Sequence, residues 1–598
     1  MRKITVMVFA IGLASVVVMG KTLEREPLVV EAQPLSPSVY GSGSGSVADL
    51  LGQIPEVDLQ TQGVPGGQSD MSIRGSSFSG AGVALHGLSL PHAQTEHFHA
   101  ELPFALEWFG SPRVLTGFEQ SAASSGFLVG TVDMGVLPIT TRRLLSGGIS
   151  EYDSYWGQVL VQQQWAATER TLGVGAFAGG GDIKQVDVSD NDVRIRRAGA
   201  QLQLRNRHGD QTDLLVGRQE KTLGVRGYYG VNPAWAGEED IEDTLIYLGT
   251  SRSRPGGDVR ASAYYREFSD DYLLFWSLPG IFENNHRLDV LGGMLDGRWR
   301  FADGRWLDWR ATASEERIRS SALGYHSRQQ MAFSGIPGIR VGAWQYQLGA
   351  RVDIFEEEQN EFLPQAAITY FTASGISVQL AYSESVRQPS YTELNYESPA
   401  SLGNAGLDTQ KASTTELLVR GGGPAGIDWK AGVFYRTTDD TVDWIRRTSD
   451  AARWEAENID TVKTLGVEAG GRWLHSSGSS VAIQYLGLDQ SDDSDLHASR
   501  YALDYAKHVL RASAQAALGP RITLGYRQTV RRQQANPLRE SGRSQYDGSI
   551  QATYLLRRYP EVLLLAAVDN VWDDDYQVFP GQETYAGRRA SAGMRIEW

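Results

Sequence analysis

The sequence contains no cysteine, and no stretch after residue 20 approaches the roughly 18 uninterrupted apolar residues of a transmembrane helix. The lack of cysteine excludes disulfide bonds and thiolate chemistry. The lack of a long apolar run excludes a helical inner-membrane protein. Positive charge is also scarce, because 56 Lys and Arg stand against 71 Asp and Glu, for a net charge of −15. This balance argues against nucleic acid as a partner.

Residues 1–20 have the pattern of a secretory signal peptide. Arg2 and Lys3 give a charged start, and Val6–Met19 is apolar but too short to span a bilayer comfortably. Val18 and Gly20 are small enough for a cleavage site. We therefore expect an exported protein that is either soluble or built as a barrel.

Aromatic residues are plentiful, and from about Arg142 onward apolar and polar residues alternate. In residues 344–354 the aromatic and aliphatic side chains fall on one face, and Gln345, Gln347, Arg351 and Asp353 fall on the other. Residues 589–598 alternate in the same way and end on an aromatic residue. A soluble sandwich can mimic one such strand. Its persistence over roughly 450 residues predicts an all-β transmembrane barrel, with one face toward lipid.

The strand number follows from chain length. A membrane strand with its turn and loop takes roughly 20 residues, so we expect about 22 antiparallel strands. A lumen this wide must be plugged or left open. Ser46-Val47-Ala48-Asp49 resembles a capping box that opens a short helix ending before Pro55, and extended pieces follow at 71–75 and 83–87. We predict a signal peptide at 1–20, a periplasmic segment with a flexible linker at 21–46, a plug domain at 47–141 and the barrel at 142–598.

Several short motifs occur in a fixed order along this chain. They are Asp49–Asp58, Ser72–Gly75, Leu85–Leu88, Pro389–Leu394 with Gly403-Asn404, and Glu457–Ile459 with Gly466–Glu468. Together they resemble the plug and barrel signatures of TonB-dependent outer-membrane receptors. The end of the plug departs from the family pattern, since residues 115–134 keep Gly117, Gly130 and Val132 but lack its Arg-Gly and Tyr-Gly pairs. This departure leaves open whether transport is retained.

The resemblance implies active transport of a scarce large nutrient across the outer membrane of a Gram-negative-type bacterium. It also implies a monomer in contact with outer-membrane lipid. TonB would be the partner and would bind a TonB box at Leu28, Val29, Val30, Glu31 and Ala32. An extended segment can add as a strand to a partner's sheet; the alternative is a β-prone stretch without a partner.

A passive porin and a structural outer-membrane protein are alternatives from other classes. We expect no enzyme activity, because no G-x-S-x-G or HExxH motif is present.

Ligand contacts are expected where plug loops meet barrel loops on the extracellular side. The candidates in the plug are Gly67, Gln68, Ser69, Pro91, His92, Gln94, Thr95, His97 and His99. Three of the ten histidines fall within eight residues, but their spacing is not the i, i+4 pair of a helical zinc site. Ligand contact, hydrogen bonding to the barrel and metal ligation are the three interpretations of these residues.

Aromatic residues and an acidic segment mark the candidate barrel loops. The aromatic candidates are Tyr228, Tyr229, Tyr391 and Tyr396, whose alternative role is in the bilayer-interface girdles. Asp182, Asp187, Asp190 and Asp192 have spacing suited to a structural calcium ion, or are simply solvated. No other cofactor is expected.

The nutrient itself is predicted from two short stretches. Residues 224–233 and 94–97 look similar to the cobalamin-transporter branch of the family. Cobalamin is therefore the first prediction for the ligand. A ferric siderophore or haem is the alternative within the same fold, because the fold alone does not determine the ligand.

Overall fold

The computed structural model describes residues 46–123, 126–185, 191–230, 235–278, 280–356, 358–423, 426–475, 478–580 and 587–598. The predicted signal peptide, the linker up to residue 45 and the TonB box lie outside the described residues, as do Asp187 and Asp190. No helix in the described part of the chain is long and apolar enough to cross a membrane.

Residues 46–140 form two short helices and two small sheets. They are α1 (Val47–Leu51), β1 (Val57–Thr61), β2 (Ser69–Ile73), β3 (Ala81–Leu85), β4 (Leu88–Ser89), β5 (Arg113–Thr116), α2 (Gly117–Ala123) and β6 (Gly130–Met134). The strands pair as β1-β2 and as β4-β3-β6-β5. Helix α1 begins with the predicted capping box: the Asp49 amide donates to Ser46 Oγ at 3.3 Å, and the Ser46 amide donates to Asp49 Oδ2 at 3.0 Å.

From residue 142 onward nearly every element is a strand. The elements are β7 (Arg142–Ser150), β8 (Ser154–Ala166), β9 (Arg170–Ile183), β10 (Val193–Asn206), β11 (Gln211–Gly224), β12 (Glu238–Arg254), β13 (Gly257–Leu273), β14 (Glu283–Arg300), β15 (Arg305–Ser320), β16 (Gly324–Val341), β17 (Trp344–Phe355), β18 (Glu361–Phe371), β19 (Ser377–Arg387), α3 (Tyr391–Asn395), β20 (Ser401–Leu402), β21 (Gln410–Gly423), β22 (Ile427–Asp439), β23 (Thr441–Arg446), β24 (Trp454–Ile459), β25 (Val462–Leu474), β26 (Ser480–Ser491), β27 (Ala498–Ser499), β28 (Ala506–Leu518), β29 (Ile522–Gln533), β30 (Ser544–Arg558), β31 (Glu561–Asp569) and β32 (Arg589–Glu597).

Twenty-two of these strands close into an antiparallel barrel, which confirms the predicted fold. The barrel closes where β32 pairs with β7, from Ser591 opposite Ser150 to Glu597 opposite Leu144. The predicted alternation is also confirmed: Leu348 on the outer face is 69% exposed, whereas Gln345 on the lumen face is 1% exposed. The outer face is apolar and faces lipid.

The two ends of the barrel differ in the length of their connections. At one end short turns join the strands, as between β12 and β13 or between β16 and β17. At the other end the connections between strands are long, such as residues 388–409 between β19 and β21 and residues 570–588 between β31 and β32. Outer-membrane barrels have short periplasmic turns and long extracellular loops. The long loops therefore mark the extracellular end, and Arg142 and Trp598 lie at the periplasmic end.

Residues 46–140, called the plug region below, pack against the lumen wall of the barrel. Trp108 lies edge-on to Phe177 of β9 at 5.1 Å between ring centroids, and Phe98 lies 4.9 Å from Phe268 of β13. These four rings belong to one buried cluster that joins both parts of the chain. Burying a side chain of this size stabilises the fold by about 1.5–3 kcal/mol.

Charge pairs add to this packing. The Arg74 guanidinium, at the end of β2, contacts Glu416 of β21 and Glu468 of β25, each at 2.8 Å. It also lies over the ring of Phe434, 4.6 Å from the centroid. Phe434 is the residue that breaks the polar pattern on the lumen face of β22. Its apolar ring is explained by this contact with the plug region.

Candidate functional site

Five aromatic rings meet at the extracellular side of the plug region. They form the plug-apex cluster: Phe78, His97, Tyr229, Tyr501 and Phe579. Phe78 stacks on His97 at 3.9 Å, and Tyr501 approaches Phe78 at 4.9 Å and Phe579 at 5.5 Å. His97 lies 5.7 Å from both Tyr229 and Tyr501. Two of these rings come from the plug region and three from barrel loops, so the cluster couples both parts of the molecule.

Local structure fixes the two rings of the plug region. Phe78 begins a 3₁₀ turn at Phe78–Gly80, and His97 lies in another at Glu96–Phe98. His97 Nδ1 lies 2.8 and 2.9 Å from the two carboxylate oxygens of Asp70. Asp70 belongs to β2 and is 2% exposed. This buried carboxylate therefore sets the orientation of the imidazole ring.

The other histidines predicted as site residues lie deeper, between the plug region and the wall. His92 packs edge-on to Phe268 at 4.3 Å, and His99 Nδ1 lies 2.9 Å from the Ala81 carbonyl oxygen. Burial holds the pKa of His92 well below its usual range and lowers that of His99 to about 3. Both rings are therefore neutral. With Pro91 they line a cavity of about 50 Å³, which has room for water but not for a large nutrient.

The remaining predicted plug residues make contacts within the protein. Gln94 Nε2 donates to Asp270 of β13 at 2.6 Å. Lys221 Nζ donates to the Gly67 carbonyl oxygen at 3.2 Å, and Gln68 and Ser69 are buried beside it. Thr95 directly precedes the 3₁₀ turn that carries His97, and its side chain makes no capping hydrogen bond. These contacts correspond to the plug-to-barrel hydrogen bonding considered for these residues, and a direct role in ligand contact stays a prediction.

The four predicted loop tyrosines all reach the plug region or its rim. Tyr229 belongs to the plug-apex cluster. The Tyr228 hydroxyl lies 2.6 Å from the point where a Cβ would stand at Gly63, so only glycine fits there. The Tyr391 amide donates to the Ala93 carbonyl oxygen at 2.9 Å. The Tyr396 hydroxyl accepts from Asn284 at 3.0 Å. The sequence therefore identified loops that do meet the plug region.

A buried arginine forms salt bridges that connect the loop of α3 to the plug region. Arg387 pairs with Glu96 of the plug region and, at 2.9 Å, with Glu393 of α3. Glu393 also accepts from the Ser390 amide at 2.7 Å in a capping box. Burial raises the pKa of Glu96 to about 7, and Arg387 acts in the opposite direction. Helix α3 is a short helix between β19 and β20, within the part of the chain that forms the barrel.

Strands β20, β24, β23 and β27 form a loop sheet above the barrel, and sequence reasoning missed it. The Asp443 carboxylate, in β23, holds this sheet together through three hydrogen bonds. It accepts from the Trp444 amide at 2.8 Å, from the Ala502 amide at 3.1 Å and from the Ser499 hydroxyl. Arg446 lies over the Trp454 ring at 4.6 Å. The loop sheet therefore places cationic and aromatic groups beside Tyr501.

The predicted calcium segment is only partly within the described residues. The Asp182 carboxylate lies 3.6 Å from Arg194, and Asp192 accepts from the Gln185 amide at 2.9 Å. Among the described residues no group of three or more His, Asp or Glu side chains is arranged to hold a metal ion. The calcium site stays a prediction.

Comparison with known proteins gives matches across most of the chain. The sequence model of a family described as TonB dependent receptor-like, beta-barrel matches residues 140–582. Similar solved structures include the FrpB iron transporter from Neisseria meningitidis, with 12% identity, coverage of 95% of this chain and 99% of that chain, and a TM-score of 0.72. A mutant ferric enterobactin receptor, PfeA, from Pseudomonas aeruginosa has 12% identity, coverage of 93% and 96%, and a TM-score of 0.73. The copper transporter OprC has 15% identity, coverage of 93% and 98%, and a TM-score of 0.74. At these identities the solved structures support the fold alone.

Proposed function

This chain belongs to the TonB-dependent receptor family, and from that premise we propose that it imports a large metal chelate of the ferric-siderophore type across the outer membrane. The similar structures described above are named for iron, enterobactin and copper, and none is named for cobalamin. These names favour the siderophore alternative over cobalamin, which the sequence predicted first.

The plug-apex cluster is the observation that carries this proposal. Tyr229 and Tyr501 are partly buried, whereas Phe78, His97 and Phe579 are buried, so a large cargo reaches the cluster only if the two tyrosines move. A cargo that displaces these rings contacts the plug region and the barrel loops together. Binding at this place can therefore change the plug region, as coupling between binding and transport requires.

Two arginines beside the cluster favour an anionic, aromatic cargo, whereas the carboxylates of Asp70 and Glu239 are already paired with His97 and Tyr229. Arg500 lies 5.1 Å from the Tyr501 ring centroid, and both Arg446 and Arg500 face the Trp454 ring. Guanidinium groups pair with carboxylate or catecholate oxygens, and ring faces stack on planar ligands. A catecholate ferric siderophore supplies both features.

A fluorescence titration of the purified protein tests the proposal. We expect saturable quenching by a ferric catecholate siderophore at submicromolar concentration, which corresponds to about −8 kcal/mol or better. Tyr501→Ala should weaken binding about tenfold or more, because losing a central aromatic anchor costs about 2 kcal/mol. Tyr325→Ala is the matched control, since Tyr325 is 64% exposed on the outer face of β16.

Cobalamin is titrated in parallel, with calcium and with chelator. A saturable fluorescence change with cobalamin and no change with the siderophore would overturn the proposed cargo. The assignment to the transporter class would stand. Equal weakening by both tyrosine substitutions would remove the plug-apex cluster as the binding site.

A further inference from the structure

We propose that Glu239 and Asp270 form a buried site for one Ca²⁺ ion between the plug region and the barrel wall. Glu239 lies in β12 and Asp270 in β13, both on the lumen face toward the extracellular end. Glu239 is 2% exposed and Asp270 is 3% exposed. This site is separate from the acidic segment at residues 182–192, and it does not depend on the identity of the cargo.

The two carboxyl groups are in direct contact. Glu239 lies opposite Tyr272 in the antiparallel register, and Asp270 is the next lumen-facing residue of that strand. The two acids are therefore diagonal neighbours on one face, within reach of each other. Their carboxyl groups share a hydrogen bond. Two buried carboxylates at this distance cannot both ionise unless a positive charge joins them, so the pair holds either a proton or a metal ion.

The neighbouring buried acid of the same strand has a cationic partner, and this pair does not. Asp243 of β12 pairs with Arg266 at 2.8 Å. Among the residues that the structure describes, neither Glu239 nor Asp270 forms a salt bridge. The pair therefore has the negative charge of an ion site without the arginine that neutralises Asp243.

Two other basic groups are close, but each has another partner. Lys221 Nζ donates to Glu101 at 2.5 Å. His286 lies opposite Asp270 in the register, and its Nδ1 lies 2.8 Å from the Ser320 hydroxyl. A histidine supplies a positive charge only when it is protonated. The positive charge that the pair needs is therefore not fixed by a neighbouring side chain.

Further oxygen atoms surround the pair. Gln94 of the plug region is 2% exposed, and its Nε2 donates to Asp270 Oδ2 at 2.6 Å. Gln94 Oε1 and Asp270 Oδ1 are buried and have no hydrogen-bond partner. Half a turn of the Gln94 amide exchanges its nitrogen for its oxygen, which can then bind an ion. The Tyr229 hydroxyl lies 3.0 Å from Glu239 Oε2 and adds another oxygen.

This set of donors favours calcium. Two carboxylates balance the charge of one divalent ion, and every donor named above is oxygen. Ca²⁺ binds 6–8 oxygen atoms of carboxylates, amide carbonyls and water in flexible geometry, whereas zinc prefers nitrogen and sulfur. With only two carboxylates in the site, amide, hydroxyl and water oxygens complete the coordination. A bound ion would join Gln94 of the plug region to β12, β13 and, through Tyr229, the plug-apex cluster.

Calcium titration of the detergent-purified full-length protein by isothermal calorimetry tests the site. The wild type should bind one more Ca²⁺ per molecule than Glu239→Gln or Asp270→Asn, because each substitution removes one charge and keeps the shape. Glu238→Gln and Asp271→Asn are the matched controls, since these adjacent acids lie on the outer face of the same strands. Both controls should keep the wild-type stoichiometry. Calcium bound elsewhere on this acidic protein is common to all five proteins and cancels in the comparison.

The wild type alone provides a second test. Calcium should displace the proton that the pair shares, so binding at this site should release about one proton and strengthen about tenfold per pH unit. Titration in buffers of different ionisation enthalpy measures that release. Calcium should also slow hydrogen exchange of the segment that carries Gln94, because an ion that binds only the folded state stabilises it.

Equal calcium stoichiometry in the wild type and in both site variants would overturn the proposal, because the pair would then hold only a proton. If a site variant does not fold, calcium binding without proton release by the wild type would overturn it equally. Siderophore titration in calcium-free buffer separates this failure from a failure of the proposed uptake. A protein that binds the siderophore but lacks this calcium ion keeps the proposed function.

Discussion

At the scale of single residues, Arg74 links the plug region to two wall strands through buried charge pairs. Arg74→Ala leaves Glu416 and Glu468 without their cation, and both carboxylates are buried. Removing one partner of a buried ion pair costs about 3–5 kcal/mol. We expect the free energy of local opening around β2, measured by hydrogen exchange, to fall by about that amount.

The exposed pair between Arg207 and Glu169, at 2.9 Å in the periplasmic turns, provides the control. Exposed ion pairs contribute about 0–1 kcal/mol, so Arg207→Ala should change local opening of β10 very little. An Arg74→Ala variant whose β2 stays as well protected as in Arg207→Ala would show that apolar packing alone holds the plug region.

Residue-level sequence reasoning identified two of the five rings of the plug-apex cluster. His97 and Tyr229 were predicted as ligand contacts from their loops, and the structure brings them together. Phe78, Tyr501 and Phe579 were missed, because they come from distant segments and follow no local pattern. Only the folded chain brings such rings into contact.

At the scale of elements, the loop sheet should respond to pH through Asp443. Burial raises the pKa of Asp443 from 3.8 to about 6, against the hydrogen bonds that lower it. The folded state thus binds the proton more tightly than the unfolded state. The resulting stability is complete below about pH 4 and is lost as pH rises through about 6.

Hydrogen exchange of β23, corrected for the intrinsic rate, measures this dependence. We expect protection to fall between pH 4 and pH 7 in the wild type and to be flat in Asp443→Asn, which does not titrate. Protection that rises with pH in the wild type would contradict the assignment.

Elements were predictable where a local pattern determines them. The capping box at Ser46 predicted α1, and period-two alternation predicted the barrel strands. Strands β20 and β27 have only two residues each, and so short a strand shows no period-two alternation. Helix α3 was missed although Ser390 and Glu393 form the same kind of capping box that indicated α1.

At the scale of the whole molecule, the plug region limits what the barrel conducts. A 22-stranded barrel encloses a wide lumen. Deleting residues 46–140 should therefore raise conductance in planar bilayers many-fold above that of the intact protein. Equal conductance of both proteins would mean that the plug region does not fill the lumen.

Uptake of radio-iron as a ferric catecholate by cells that express this protein tests the proposed transport most directly. We expect accumulation that depends on the proton-motive force and is abolished by deleting residues 28–32, whereas binding to the purified deletion variant stays unchanged. Accumulation that survives both the deletion and the loss of the proton-motive force would contradict energy-coupled import and favour a passive pore.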